Sequence, residues 1–335
     1  MKQLITGFLL VPIFLAGCAS LPGDRWVSAP AGQYDTVIVD PDTGRPLSIE
    51  QLARHLADID IVVVGEYHGH HASHLLQARL QQALHQQNPR QILSMEQFNL
   101  DQQAGLDAYL AGQTGESEML EDTGAWDNYK GSYRPLVEYA RQHQIPVIAA
   151  NAPATTVRCV ARQGAEYIGT LPPPARAALP EQVLLDTPGY RTKFVEAISG
   201  SHGANEATLE GQLLNTYQAQ LLRDNTMAHR ILTGLAERPG HQLLHLTGTF
   251  HSEHRLGTVA VLEQRAPGQK IAVISPVEWP PTQHQMPLLQ NRQKGDYLYF
   301  VQPLPAEFRD TERERNAMKA RFHNRASVDC DQDRE

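Results

Sequence analysis

The run Ile61-Val62-Val63-Val64-Gly65 constrains the fold more than any other stretch of the chain. It leaves no polar side chain for a solvent-facing side, and its β-branched residues are poor helix formers. Such a run predicts a strand buried on both faces, as in a parallel sheet covered by helices on either side. Parallel strands need crossovers, and the flanking sequence supplies them. Ser48 caps a helix with apolar positions Ile49, Leu52, Leu56 and Ile59, with Gln51 at the reciprocal capping position. A helical stretch from about His71 to Gln87 ends at Asn88-Pro89. The alternation then repeats: strand Gln91–Met95, helix Gln102–Leu110, a polar glycine-containing loop, helix Tyr133–Gln142, strand Ile145–Ala150.

Before the run, Tyr34 to Asp40 reads as a short strand and Asp42-Thr43-Gly44 as a turn. From Ala152 to about Arg238 no strong strand pattern occurs, and Ala207–Leu235 places Leu209, Leu213, Tyr217, Leu221, Ala228, Ile231 and Leu235 at near-helical spacing. Strand patterns return at Gln242–Thr247, Ile271–Ser275 and Tyr297–Gln302. The expected fold class is therefore α/β: a mostly parallel sheet flanked by helices, with a smaller helical subdomain inserted. Residues 18–151 and 239–304 form the two parts of the α/β domain, 152–238 the insert, and 305–335 a charged tail.

Composition narrows the function. The 335 residues are 41% hydrophobic and 20% charged, which is globular. With 29 basic against 37 acidic residues and a net charge of −8, no basic surplus exists to neutralise phosphates, so a nucleic-acid partner is excluded. Lys2, the apolar run from Leu4 through Leu15 and then Ala16 and Gly17 read as a secretory signal too short to span a membrane. Leu15-Ala16-Gly17-Cys18 also resembles the lipobox of bacterial lipoproteins. Residues 1–17 are thus expected to be removed and Cys18 lipidated, palmitate being one of the chains. Ala19, rather than an aspartate, favours the outer membrane over retention at the inner one, with the protein facing the periplasm. Cys159 and Cys330 make no disulfide framework, and no chemistry is assigned to either. The tail around Cys330 reads as a solvated helix that frays.

Polar residues recur where strands end. Glu66 and His68 follow the first buried strand, Glu96 the second and Asn151 the third, while Thr247-Gly248-Thr249-Phe250-His251 follows the fourth. In a parallel sheet these ends share one edge, where open α/β folds bind ligands. Glu66, His68, Glu96 and His251 are the candidate catalytic residues. They could hold zinc or manganese and activate a water, or Glu66 or His68 could act without metal as general base. His70 and His74 share a helix face if the helix already includes 70, as metal ligands can; a loop and first turn of exposed histidines is the plain alternative.

A second concentration is aromatic and basic. Trp126, Tyr129, Lys130, Tyr133 and Arg134 fall within nine residues, and Tyr190, Arg191 and Lys193, with His202 further on, repeat the flavour in the insert. Aromatic walls with cationic rims suit a flat apolar ligand bearing carboxylates, of which haem is the obvious case; packing of amphipathic helices is the alternative.

Together these residues resemble the ChaN-like haem-binding lipoproteins, related to the wider Tiki, TraB and erythromycin-esterase grouping. The resemblance is carried by Val64-Gly65-Glu66-Tyr67-His68, Ser94-Met95-Glu96-Gln97-Phe98, Tyr133-Arg134-Pro135-Leu136 with Ala140, and Ala149-Ala150-Asn151-Ala152-Pro153. Arg223-Asp224 with Met227-Ala228, and Gly248-Thr249-Phe250-His251, complete an ordered set over about residues 35–275. The resemblance implies haem bound between two protomers, a tyrosine on the iron and basic groups at the propionates. It implies a haem-binding outer-membrane lipoprotein in haem or iron uptake or trafficking, working with haem-uptake transporter components. In the wider grouping the Glu-x-His and Gly-x-x-His motifs serve hydrolysis, and they carry over to Glu66 and His68, and to Gly248 and His251. No motif fixes the tyrosine. Tyr133 is the first candidate for the iron, Tyr190 the second and Tyr67 the third, with Lys130, Lys193 and His202 as further haem contacts. A metal-dependent or acid–base hydrolase is the alternative function.

Overall fold

The computed structural model describes residues 27–202, 210–324 and 330, without the side chains of residues 199–202 and of part of the last helix. Residues 1–17 and Cys18, the side chain of His202 and most of the chain after 324 lie outside what is described.

In chain order the elements are β1 (Val37–Val39), β2 (Pro46–Leu47), α1 (Ile49–His55), β3 (Ile61–Glu66), α2 (His71–Gln87), β4 (Gln91–Asn99), α3 (Gln103–Leu110), α4 (Glu116–Thr123), α5 (Tyr129–Ser132), α6 (Arg134–Gln142) and β5 (Val147–Asn151). There follow α7 (Ala154–Gln163), α8 (Pro173–Ala178), α9 (Tyr190–His202), α10 (Gly211–Glu237), β6 (Gln242–Gly248), α11 (Thr258–Arg265), β7 (Ile271–Glu278), β8 (Tyr297–Val301) and α12 (Thr311–Asn324). The strands form one sheet in the order β2-β1-β8-β7-β3-β6-β4-β5. From β8 to β5 every pairing is parallel; β1 runs antiparallel to β8 and to β2.

The β-branched run sits where its composition demands, in the middle of the sheet with both faces covered. Val62 and Val64, with Leu93, Met95, Leu244 and Leu246 of neighbouring strands, pack under α1, α2, α3 and α6. Ile61 and Val63, with Ile92, Ile148 and Leu243, pack instead against Met227 and Ile231 of α10 and Val259 and Leu262 of α11. The period of two sends alternate side chains to opposite layers. Each such buried side chain contributes roughly 1.5–3 kcal/mol. α1 starts as its sequence predicts: Gln51 N donates to Ser48 Oγ at 3.2 Å, and Ser48 N to Gln51 Oε1 at 2.8 Å.

Several expectations change. The first strand shrinks to Val37–Val39, because Asp40 Oδ1 accepts from the backbone of Asp42 and Thr43 and turns the chain into β2. β4 continues to Asn99, with a register shift against β5 between Met95 and Asn99, so Glu96 lies inside the strand rather than after it. The expected loop after Leu110 contains α4 and α5. α4 buries only Met119 and Thr123, too little apolar periodicity to read from sequence. The stretch 152–238 does more than form an insert, since α10 covers one sheet face together with α11. Cys159 and Cys330, assigned no chemistry above, are joined as a disulfide across 171 residues. Only the fold brings these two positions together.

At one edge of the sheet, β5 meets a side chain instead of another strand. Gln103 Nε2 donates to Val147 O at 2.8 Å, and Ala149 N donates to Gln103 Oε1 at 2.8 Å. Arg230 backs the same amide, donating to Gln103 Oε1 at 2.9 Å.

Candidate functional site

β3, β6, β4 and β5 are neighbours in the sheet, so their carboxyl ends bring Glu66, His251, Glu96 and Asn151 to one edge. Two connected clusters form there. In the first, Glu66 is buried at the end of β3. Its Oε1 accepts from Tyr133 OH at 2.6 Å and Gln97 Nε2 at 3.2 Å and pairs with His68 Nδ1 at 2.8 Å; its Oε2 accepts from Gln77 Nε2 at 2.7 Å. His74 Nδ1 stands 3.6 Å from Oε2. Burial pushes the Glu66 carboxyl up, but the bonds and charges of His68, His74 and Tyr133 outweigh it and hold it below the ordinary glutamate range.

In the second cluster, Glu96 Oε2 accepts from Thr247 Oγ1 at 2.6 Å and Gly248 N at 2.7 Å, while Oε1 faces His251 Nε2 at 3.6 Å. The other ring nitrogen of His251 pairs with Asp224 Oδ1 at 2.8 Å, an oxygen that also accepts from Thr258 Oγ1 at 2.7 Å. Burial raises the Glu96 pKa, yet His251, His68 and the two hydrogen bonds bring it down to about 2. For His251 burial acts downward, and Asp224 and Glu96 reverse it to a net rise. His68 behaves likewise, raised by Glu66 and Glu96 against the cost of burial. The edge thus favours ionised carboxylates beside two imidazoles, His68 and His251, that hold a proton more firmly than usual, while burial lowers the pKa of His74; the set is suited to proton transfer.

The backbone is fitted to these side chains at two glycines. A Cβ on Gly248 would lie 2.8 Å from His68 Nε2. One on Gly257, at φ 63°, would lie 2.9 Å from both Asp224 Oδ1 and His251 O. Lys193 of α9 braces the same loop from the other side. Its Nζ donates to the carbonyls of Phe250 at 2.9 Å, Glu253 at 3.1 Å and Thr249 at 3.3 Å, and burial lowers its pKa to about 8.

Beside the clusters lies a cleft of about 600 Å³ lined by Asn99, Gln102, Trp126, Asn151, Arg158 and Arg223. Trp126 meets His68 edge to face at 5.1 Å between ring centres and Tyr133 at 5.9 Å. Asn151 Nδ2 donates to Glu96 O at 3.1 Å, tying the cleft wall to the second cluster.

The structure therefore brings Glu66, His68, Glu96 and His251 to one edge of the sheet, Glu96 from inside β4 rather than after it. Among the described residues, no three His, Cys, Asp or Glu side chains are grouped to hold a metal ion. The histidine run divides by role. His70 caps α2, accepting from Ala72 N and pairing with Gln302 O at 2.7 Å; His71 is exposed; His74 belongs to the Glu66 cluster. The haem contacts are scattered. Tyr133 is 0% exposed with its hydroxyl on Glu66, and Tyr190 is 1% exposed. Tyr67 is half-buried, donating to Pro276 O at 3.3 Å, and Lys130 is exposed on α5. In a single chain so folded, Tyr133 and Tyr190 offer no phenol and Lys193 no free ammonium to a porphyrin; these groups do not fit haem as placed.

Asp224, Gln77 and Gln97 received no role from the sequence. Asp224 did leave a signal. It falls on the apolar stripe of α10 between Leu221 and Ala228, and it is 0% exposed. An acid at such a position needs a buried partner.

Residues 52–262 match the model of a family described as haem-binding uptake, Tiki superfamily, ChaN. A search of curated proteins found no match. Among solved structures, one titled for cofacial haem binding to ChaN of Campylobacter jejuni superposes with a TM-score of 0.60 at 19% identity, covering 80% of this chain and 98% of that one. It has the same α/β fold. An erythromycin esterase mutant in its open conformation aligns with a TM-score of 0.43 at 14% identity over 85% of this chain and 87% of that one. A Bacillus cereus protein aligns at 0.42 and 15% identity over 70% of each chain.

Proposed function

Because the chain belongs to the ChaN family of haem-binding uptake proteins in the Tiki superfamily, we propose that it binds haem and serves haem or iron uptake or trafficking from the outer membrane. The observation that carries this reading is the family match across 211 residues, from 52 to 262. Cys18, lipidated after removal of residues 1–17, anchors it facing the periplasm, where it meets transporter components. The Cys159–Cys330 disulfide agrees with an oxidising compartment. Haem, when bound, supplies the iron. Two copies of the chain share it between them.

Titration of the full chain with hemin is expected to give a saturable Soret shift with a ferric tyrosinate spectrum, and sedimentation to show a dimer forming with haem. Tyr→Phe at 67 and 190 tests the two remaining candidates, one of them abolishing the tyrosinate band. Tyr133→Phe is expected to leave the band in place, since that hydroxyl is committed to Glu66. Binding no tighter than to a non-specific carrier would end the reading. For the anchor, Cys18→Ser is expected to move the protein out of the membrane fraction.

A second reading rests on the Asp224–His251–Glu96 arrangement. An imidazole oriented by one carboxylate and facing another beside an open cleft is the equipment of an acid–base hydrolase. In it His251 moves the proton, Asp224 fixes its ring, and the cleft at Trp126 and Arg223 holds the substrate. Turnover in an ester and peptide screen that disappears in both His251→Ala and Glu96→Gln would establish it.

A further inference from the structure

His85, Tyr139 and His143 form a three-ring cluster at the C-terminal ends of α2 and α6. His85 lies eleven residues beyond His74 on α2, a rise of about 16 Å along the helix. Tyr139 and His143 stand at i and i+4 at the end of α6, His143 being its C-cap. Ring centres are 4.2 Å apart for Tyr139–His143, 5.1 Å for His85–His143 and 5.6 Å for His85–Tyr139. His85 Nδ1 lies 3.0 Å from Tyr139 OH.

We propose that His85, Tyr139 and His143 bind a divalent first-row transition ion of the zinc or copper class. Two ligand atoms each about 2.0–2.1 Å from one metal, at tetrahedral or right angles, are themselves about 3 Å apart, the spacing of His85 Nδ1 and Tyr139 OH. Two imidazoles and a phenol are a nitrogen-rich donor set that suits borderline ions, not calcium or magnesium. The site is reachable, since His143 is exposed while His85 and Tyr139 are half-buried, so water can fill the remaining coordination positions. All three residues lie in or just beyond the last turns of α2 and α6, where the negative ends of two helix dipoles favour a cation. Arg141, the nearest basic residue in sequence, is turned away, paired with Glu138 and lying over the Tyr109 ring.

The test is calorimetric titration of the full chain, stripped with chelator, using Zn(II). It compares the unmutated protein with His85→Ala, His143→Gln, Tyr139→Phe and, as a control at the strand-end site, His251→Ala. The tightest isotherm is expected to weaken at least tenfold in His85→Ala and His143→Gln and to survive in His251→Ala. Cu(II) spin resonance is expected to show nitrogen ligation that both histidine substitutions alter and a spectrum that Tyr139→Phe changes. An unchanged isotherm in the His85→Ala/His143→Gln double variant overturns the site, as does loss of binding in His251→Ala alone. An unchanged spectrum and affinity in Tyr139→Phe overturns the three-donor set. Metal-free melting curves separate these outcomes from misfolding, and the exposed His143 is the position where substitution disturbs packing least.

Discussion

Glu96 shows how far one side chain sets the behaviour of the edge. Its carboxyl is held at about 2 against 4.5 for an unperturbed glutamate. The lowered value means that folding favours the ionised form, so its contribution is complete above pH 4.5 and is lost as pH falls toward 2. That contribution is on the order of 3 kcal/mol. Glu96→Gln is therefore expected to flatten the acid limb of the stability–pH curve between 4.5 and 2, measured by urea unfolding at each pH. An acid limb as steep as in the unmutated protein would show that the carboxylate is not the group responsible. At this scale the sequence was partly legible. Glu66, His68 and His251 could be named because each stands at or just after a strand end, a position readable from local pattern; Glu96 was named on the same ground, although β4 runs on past it to Asn99. Their partners could not, since Gln77, Gln97 and Asp224 come from α2, β4 and α10 and meet the acids only through packing. Tyr133 was legible as an aromatic on a helix entry, but that its hydroxyl points into the core at Glu66 depends on how α6 lies on the sheet.

Among the elements, the loop after β6 is held from outside itself. Three of its carbonyls are held by Lys193 of α9. Lys193→Met keeps the aliphatic stem and removes all three bonds, and is expected to cost about 2 kcal/mol, since the strong bonds lost are offset by relief of a desolvated charge. The folded-state pKa of about 8 gives a second readout. From about pH 8 to 10.5 the unfolded chain keeps a proton that the folded chain releases, so stability rises with pH across that window. Chemical unfolding from pH 7 to 11 is expected to show this rise in the unmutated protein and not in Lys193→Met. Strands and long helices were readable because they bury continuous faces: α2 spans the residues its pattern marked, and β3, β6, β7 and β8 fall on their apolar runs. α4 and α5 were not, having few buried positions each, and β4 overran its pattern because Glu96 and Gln97 are polar residues buried by their hydrogen bonds.

For the whole molecule, the disulfide joins α7 to a point beyond α12 and closes a loop of about half the chain. Loop-closure entropy for 171 residues sets an upper estimate of about 5 kcal/mol for its contribution. Cys330→Ser is expected to lower the melting temperature in oxidising buffer and to match the reduced unmutated protein; equal melting of both oxidised forms would show that the bond is not formed. This link was invisible in the sequence because nothing local marks two cysteines so far apart as partners. Gln103 bears on the molecule as a whole in a different way. By presenting an amide where a ninth strand's peptide would sit, it makes the sheet one that cannot be lengthened at β5. Neighbouring copies therefore cannot polymerise by adding strands along that border.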